Sequence, residues 1–185
     1  MARTILGELG EKMKDGVIGA LKGVDAVYDA VFETVRGNVV SLLKGAGDVT
    51  TTAMSSVSDI VVGAIHGVTD VGTAAGGAVR DVVRGTLKGV AETGGDVSTV
   101  VKNTVRGAVK GVSDVEGDVV DASVKAVEGA IDAVRSVGGD VGQATKDAVM
   151  GAIDAAGDVS AETVEAVKKA LSTSVKGAKD VIREL

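Results

Sequence analysis

Aliphatic residues return along this chain at steps of four, three, three and four. Val105, Val109, Val112, Val115 and Val119 form one such run, which continues through Ser123 to Val127. Six turns in 22 residues give about 3.67 residues per turn, the spacing of an 11-residue helical repeat, so the pattern predicts α-helix. A strand would alternate, and this chain does not. A β-solenoid, suggested by the many Val residues and the Gly-Asp-Val triplets, is the weaker alternative for that reason.

The same period orders the whole chain. Stepping by 22 from Gly19 gives Ser41, Gly63, Gly85, Gly107, Gly129, Gly151 and Thr173, small in every case. Four residues on, the column reads Gly23, Gly45, Gly67, Gly89, Gly111, Ala133, Ala155, Gly177. Between them lies an aliphatic column: Leu21, Leu43, Ile65, Leu87, Val109, Ile131, Ile153, Val175. A second runs Val27, Val49, Val71, Val115, Val137, Val159, Val181, with Thr93 as the exception. Nothing is inserted or deleted over eight copies of 22 residues, so residues 1–185 read as a single repeat region.

Wound on a helix at about 98° per residue, the columns form zones. The Val and Leu columns cover an arc of roughly 130°. The glycine columns lie on one border of that arc, followed by acidic positions such as Asp48 and Asp70. The opposite border carries Arg36, Arg80, Lys102, Lys146 and Lys168. One edge is therefore small and acidic, the other long and basic. The pairs Gly19/Gly23, Gly63/Gly67, Gly85/Gly89 and Gly107/Gly111 make a groove in which another backbone can come close. Gly94-Gly95, Gly117 and Gly138-Gly139 precede Asp96, Asp118 and Asp140, residues placed to cap a following helix. Helix breaks are expected near 93–96, 116–118 and 138–140. The expected fold is all-α: a few long amphipathic helices built from eight 22-residue repeats, folded as hairpins, packed laterally in an oligomer, or both.

Composition narrows the function. With 27 Gly at about 1 kcal/mol each relative to Ala, and many β-branched Val, an isolated helix would be poor, so something outside each helix must stabilise it. There is no Cys, no Pro and no Trp, and His66 is the one histidine. That excludes disulfides and thiolate chemistry and leaves little for imidazole chemistry. His66 sits in a lysine column and reads as a solvated substitution. Glu116 with Asp118, and Asp154 with Asp158, read as exposed faces and caps without a third metal ligand. Gly45-Ala46-Gly47 lacks the third glycine of a dinucleotide fingerprint, since Thr50 stands there, and no phosphate-binding loop motif occurs. Tyr28 and Phe32, one turn apart, read as a packing pair or terminal anchor, and Met54 and Met150 as gap-fillers. No catalytic, cofactor or metal site is expected.

A net charge of −6 argues against nucleic acid as a partner. Apolar stretches such as Ile60–Ile65 fall far short of the ~20 residues of a membrane span. The opening Met1-Ala2-Arg3-Thr4-Ile5-Leu6-Gly7-Glu8 has no apolar run with a cleavage site, so the expectation is a cytoplasmic protein, or one peripheral at a membrane or lipid surface, and not one exported by a signal peptide.

Segments such as Val79–Val90 and Val105–Val112, with Gly, Val and Thr on a helix poor in aromatics, resemble the 11- and 22-residue amphipathic repeats of exchangeable apolipoproteins, perilipins and synucleins. The resemblance is one of pattern. It implies a helix formed on a lipid surface. The sequence therefore suggests a non-catalytic coat on a lipid or other apolar surface, strengthened by lateral self-assembly; the alternative is a purely structural helical oligomer or filament. The apolar columns through Leu21 and Val27 would face the surface or a second copy, and the glycine groove would hold neighbouring helices.

Overall fold

The aliphatic seam is broken into short helices by turns that return at nearly constant spacing. A computed structural model describes residues 3–21, 27–45 and 52–185, with side chains described from residue 7 in the first segment, 28 in the second and 56 in the third. Nine helices occur among the described residues: α1 (Arg3–Leu21), α2 (Val27–Gly45), α3 (Thr52–Asp70), α4 (Ala75–Glu92), α5 (Val97–Asp114), α6 (Val119–Ser136), α7 (Val141–Gly157), α8 (Ala161–Ser174) and α9 (Ala178–Glu184). The expectation of a few long helices does not hold, since none exceeds 19 residues. From α4 to α7 the helices start 22 residues apart, at 75, 97, 119 and 141; α8 and α9 leave that frame.

Local chemistry explains the stops. Gly72, Gly94, Glu116 and Gly138 all adopt positive φ, between 57° and 86°, which turns the chain out of the helix. One residue later the backbone N–H bonds back five residues: Thr73 to Val68, Gly95 to Val90, Gly117 to Val112 and Gly139 to Val134, at 2.9–3.2 Å. These bonds satisfy carbonyls the helix end would orphan. A Cβ at Gly95, Gly117 or Gly139 would press on Val90, Val112 or Val134 at 2.6–2.8 Å, whereas Thr73 holds the equivalent place in the turn after α3 with the longer 3.2 Å bond. Asp96, Asp118 and Asp140 then cap α5, α6 and α7, accepting from the N–H groups of Ser98, of Val120 and Asp121, and of Gln143.

From α1 to α7 each helix packs most closely on a helix two places away, and less closely on its sequence neighbours. The odd-numbered helices thus form one layer and the even-numbered helices the other. Within a layer neighbours run parallel, because Gly63 meets Gly10 while Gly67 meets Lys14. Between the layers lies a continuous core of Val, Ala, Leu and Ile, with side chains such as Val35, Ile65, Val82, Leu87, Val109 and Val149 fully buried. Burial of these aliphatic faces supplies the favourable term that a Val- and Gly-rich helix lacks by itself.

Candidate functional site

The Leu21 column faces the interior of this chain, whereas the Val27 column lies at its edge, with Val71, Val115 and Val181 half-buried and Val137 and Val159 exposed. Leu21, Leu43, Ile65, Leu87, Val109, Ile131 and Val175 are buried; Ile153 is half-buried. Val49, Asp48 and Gly23 lie outside the described residues, as does the side chain of Val27. The described members of the Leu21 column offer no free apolar stripe. Among the described residues, the large hydrophobics that are exposed are Tyr28, Leu185 and two members of the Val27 column, Val137 and Val159.

The glycine groove forms the seam between helices of one layer. A Cβ on Gly63 of α3 would overlap the carbonyl of Gly10 on α1, and one on Gly67 would lie 2.9 Å from the Lys14 carbonyl. Gly85 and Gly89 of α4 meet Phe32, Val35, Arg36 and Val39 of α2; Gly107 and Gly111 of α5 meet Ser58 and Ile65 of α3. Gly129 and Gly151 repeat the arrangement against Arg80 of α4 and Lys102 of α5. In most of these contacts a carbonyl oxygen occupies the place of the missing side chain, a recurring geometry suited to weak Cα–H···O bonds. Gly19 on α1 is exposed and has open space around it among the described residues.

The border that receives these glycines is the basic one, which the sequence alone did not pair with them. Its signal was present: Lys14, Arg36, Ser58, Arg80 and Lys102 share one column. This border's backbone accepts the glycines, while the side chains of Lys14, Arg36, Arg80 and Lys102 reach acids on the next helix of the layer. Lys14 meets Asp70 at 2.9 Å, Arg36 meets Glu92 at 2.8 Å, Lys102 meets Asp154 at 2.8 Å, and Arg80 pairs with Asp132. Arg106 adds a contact to Asp158 at 3.0 Å. Hydrogen bonds to Asp70, to Glu92 and to Asp132 hold the Lys14, Arg36 and Arg80 cations above their ordinary ranges. Such partly exposed pairs fix register more than they add stability. The lateral pairing of a basic edge with an acidic one therefore occurs here between helices of one chain.

The seam from α3 to α5 differs, because Ser58 stands where the others place a lysine or arginine, and His66 is the side chain that approaches the acid Asp114. The His66 Nε2 is 3.6 Å from Asp114 Oδ2 and has no hydrogen-bond partner, while Lys110 holds the same carboxylate at 3.0 Å. Burial pulls the His66 imidazole below its ordinary range, against the pull of Asp114. The sequence reading of a solvated histidine understates its contact with α5.

Tyr28 and Phe32 of α2 both pack against α4. A Cβ on Gly77 would overlap the Tyr28 ring, and the Arg84 guanidinium sits 5.3 Å from the centre of the Phe32 ring. Among the described residues no group of three His, Cys, Asp or Glu side chains is placed to hold a metal ion, and no helix is long and apolar enough to cross a membrane.

No protein-family model matches the chain, and no curated protein matches it either. Among solved structures, the crystal structure of the de novo designed helical repeat protein DHR7 is similar, with a TM-score of 0.54 and 12% identity, over 96% of this chain and 94% of that one. At that identity the likeness concerns the fold alone: an all-helical repeat architecture.

Proposed function

We propose that this chain is a non-catalytic structural protein, a helical-repeat scaffold that is complete in one copy. The observation that supports this reading is the use the repeated residues find: aliphatic columns fill the space between layers, glycines admit the next backbone, and paired charges set the register. What repeats in the sequence serves the architecture.

A lipid coat of the kind the sequence pattern suggests would need the same aliphatic side chains twice, once in this core and once on the lipid. It requires the layers to part at the turns, exchanging helix-helix burial for burial in the membrane interface. Circular dichroism and light scattering on the full chain, in buffer and with neutral or anionic vesicles, separate the readings. A scaffold is fully helical in buffer, has the mass of one chain, and is unchanged by vesicles. Helix gained only with vesicles would replace the scaffold by the coat, and a large helical particle in buffer would replace it by the filament or oligomer.

A further inference from the structure

Among the described residues the regular layering breaks at α8, and a cavity opens there. α8 has 14 residues where α6, its neighbour in the layer, has 18. It stops at Ser174, Val175 is extended, and Gly177 turns the chain back with φ 88° so that α9 packs on α7 and α8. The last two turns of α6 therefore look onto a turn instead of a helix. Between them lies a space of about 640 Å³, within the 300–1,000 Å³ typical of small-molecule pockets.

Its lining is two-sided. Ile131, Val141, Val175 and Val181 supply an aliphatic wall. The rim carries Arg80, Arg135 and Lys176 against Glu128 and Asp132. Arg80 is engaged by Asp132, and Arg135 reaches the same carboxylate only loosely, at 3.6 Å, with 65% of its side chain exposed. Lys176 is exposed and takes part in no ion pair among the described residues. Three cations against two carboxylates leave the rim with one surplus positive charge, with Lys176 and the loosely held Arg135 the groups placed to meet a ligand. At the mouth stands Gly142, where the equivalent positions of the two preceding helices carry Ser98 and Val120; a Cβ there would touch only the Asp140 carboxylate.

We propose that this cavity is a binding site for a small amphipathic carboxylate, its apolar body against Ile131, Val141, Val175 and Val181 and its anionic end between Arg135 and Lys176. The size, the aliphatic wall and the surplus of positive charge at one rim each call for such a molecule, and neither a purely polar anion nor a neutral hydrocarbon satisfies all three.

Decanoate is the probe, titrated into isotope-labelled full-length protein and followed by methyl and amide NMR. Saturable shifts confined to Ile131, Val141, Val175, Val181 and the 174–177 turn are expected. Decyltrimethylammonium, with the same tail and the opposite charge, should bind about tenfold more weakly or worse. Charge reversal in Arg135→Glu/Lys176→Glu should weaken decanoate binding by a similar factor. Gly142→Leu, at an exposed position on the first turn of α7, should block the site while leaving the helical spectrum intact. No saturable shift, shifts spread over the surface, or equal binding of the cationic probe would overturn the proposal. So would decanoate affinity unchanged by the double reversal in a protein that keeps its native spectrum.

Discussion

Gly151 of α7 lies over Lys102 of α5 so closely that a Cβ would overlap the Lys102 carbonyl oxygen. The obstacle is backbone and cannot swing aside. Gly151→Ala should therefore force the two helices apart and destabilise the fold by about 2–3 kcal/mol, despite alanine's better helix propensity. Gly37, in the middle of α2, is exposed with nothing near it. There Gly37→Ala should stabilise by about 1 kcal/mol. Urea unfolding of both variants reads the contrast, and equal signs at the two sites would remove the packing role assigned to the seam.

Glu116 holds a left-handed conformation, φ 57°, at the turn where Gly94 and Gly138 serve 22 residues to either side. A side chain pays about 1 kcal/mol or more for that geometry. Glu116→Gly should raise the thermal midpoint accordingly. A drop would mean that the Glu116 side chain contributes more than its backbone costs.

Legibility followed the same division. The helical period, the apolar arc and the small border were plain because each repeats, and the eye needs only the column. The number of helices was not. Gly72, Gly94, Glu116 and Gly138 occupy one column and make the same turn, yet only positions with a neighbouring Gly or Asp signal announce it. A glutamate in a left-handed turn is invisible to residue preferences, because the surrounding hydrogen bonds, not the residue, impose it. The pairing of glycine and basic borders was hidden for another reason. A helical wheel says which residues share a face but not which helix that face meets, and here the neighbour is two helices away. The cavity beside Gly177 could not be read at all, since it depends on where α8 stops.

Thr104 is fully buried on α5 in the column that holds Val82, Ala126 and Ala148, and its hydroxyl finds no partner. Thr86, also fully buried, donates to the Val82 carbonyl at 2.8 Å. Thr104→Val should thus stabilise by about 1 kcal/mol or more, whereas Thr86→Val should gain little. Chemical denaturation of the two single variants checks the order.

His66 gives stability a pH dependence whose sign follows from its burial. It faces Asp114 and Lys110 of α5, Lys14 of α1 and Asp70 on its own helix, and burial outweighs the two carboxylates in lowering its proton affinity. The unfolded chain takes up the proton near pH 6.5, before the folded chain does. The contribution is fully present above that value and is lost as the pH falls below it. Asp59 and Asp81 act oppositely and at lower pH, because burial raises both carboxyls and their protonation favours the folded state. Relative to His66→Gln, the native chain should lose stability between about pH 7.5 and pH 5.5. A difference that stays flat across that interval would place His66 in solvent.

The alternation of layers also governs how such a molecule can change its length. From α1 to α5 a helix finds its closest companions two places away in the chain. Excising one helix with its turn would transfer everything downstream to the opposite sheet of the sandwich, whereas excising two in succession would leave each remaining helix on its own side. Growth and shrinkage by duplication or deletion are thereby steered toward even steps.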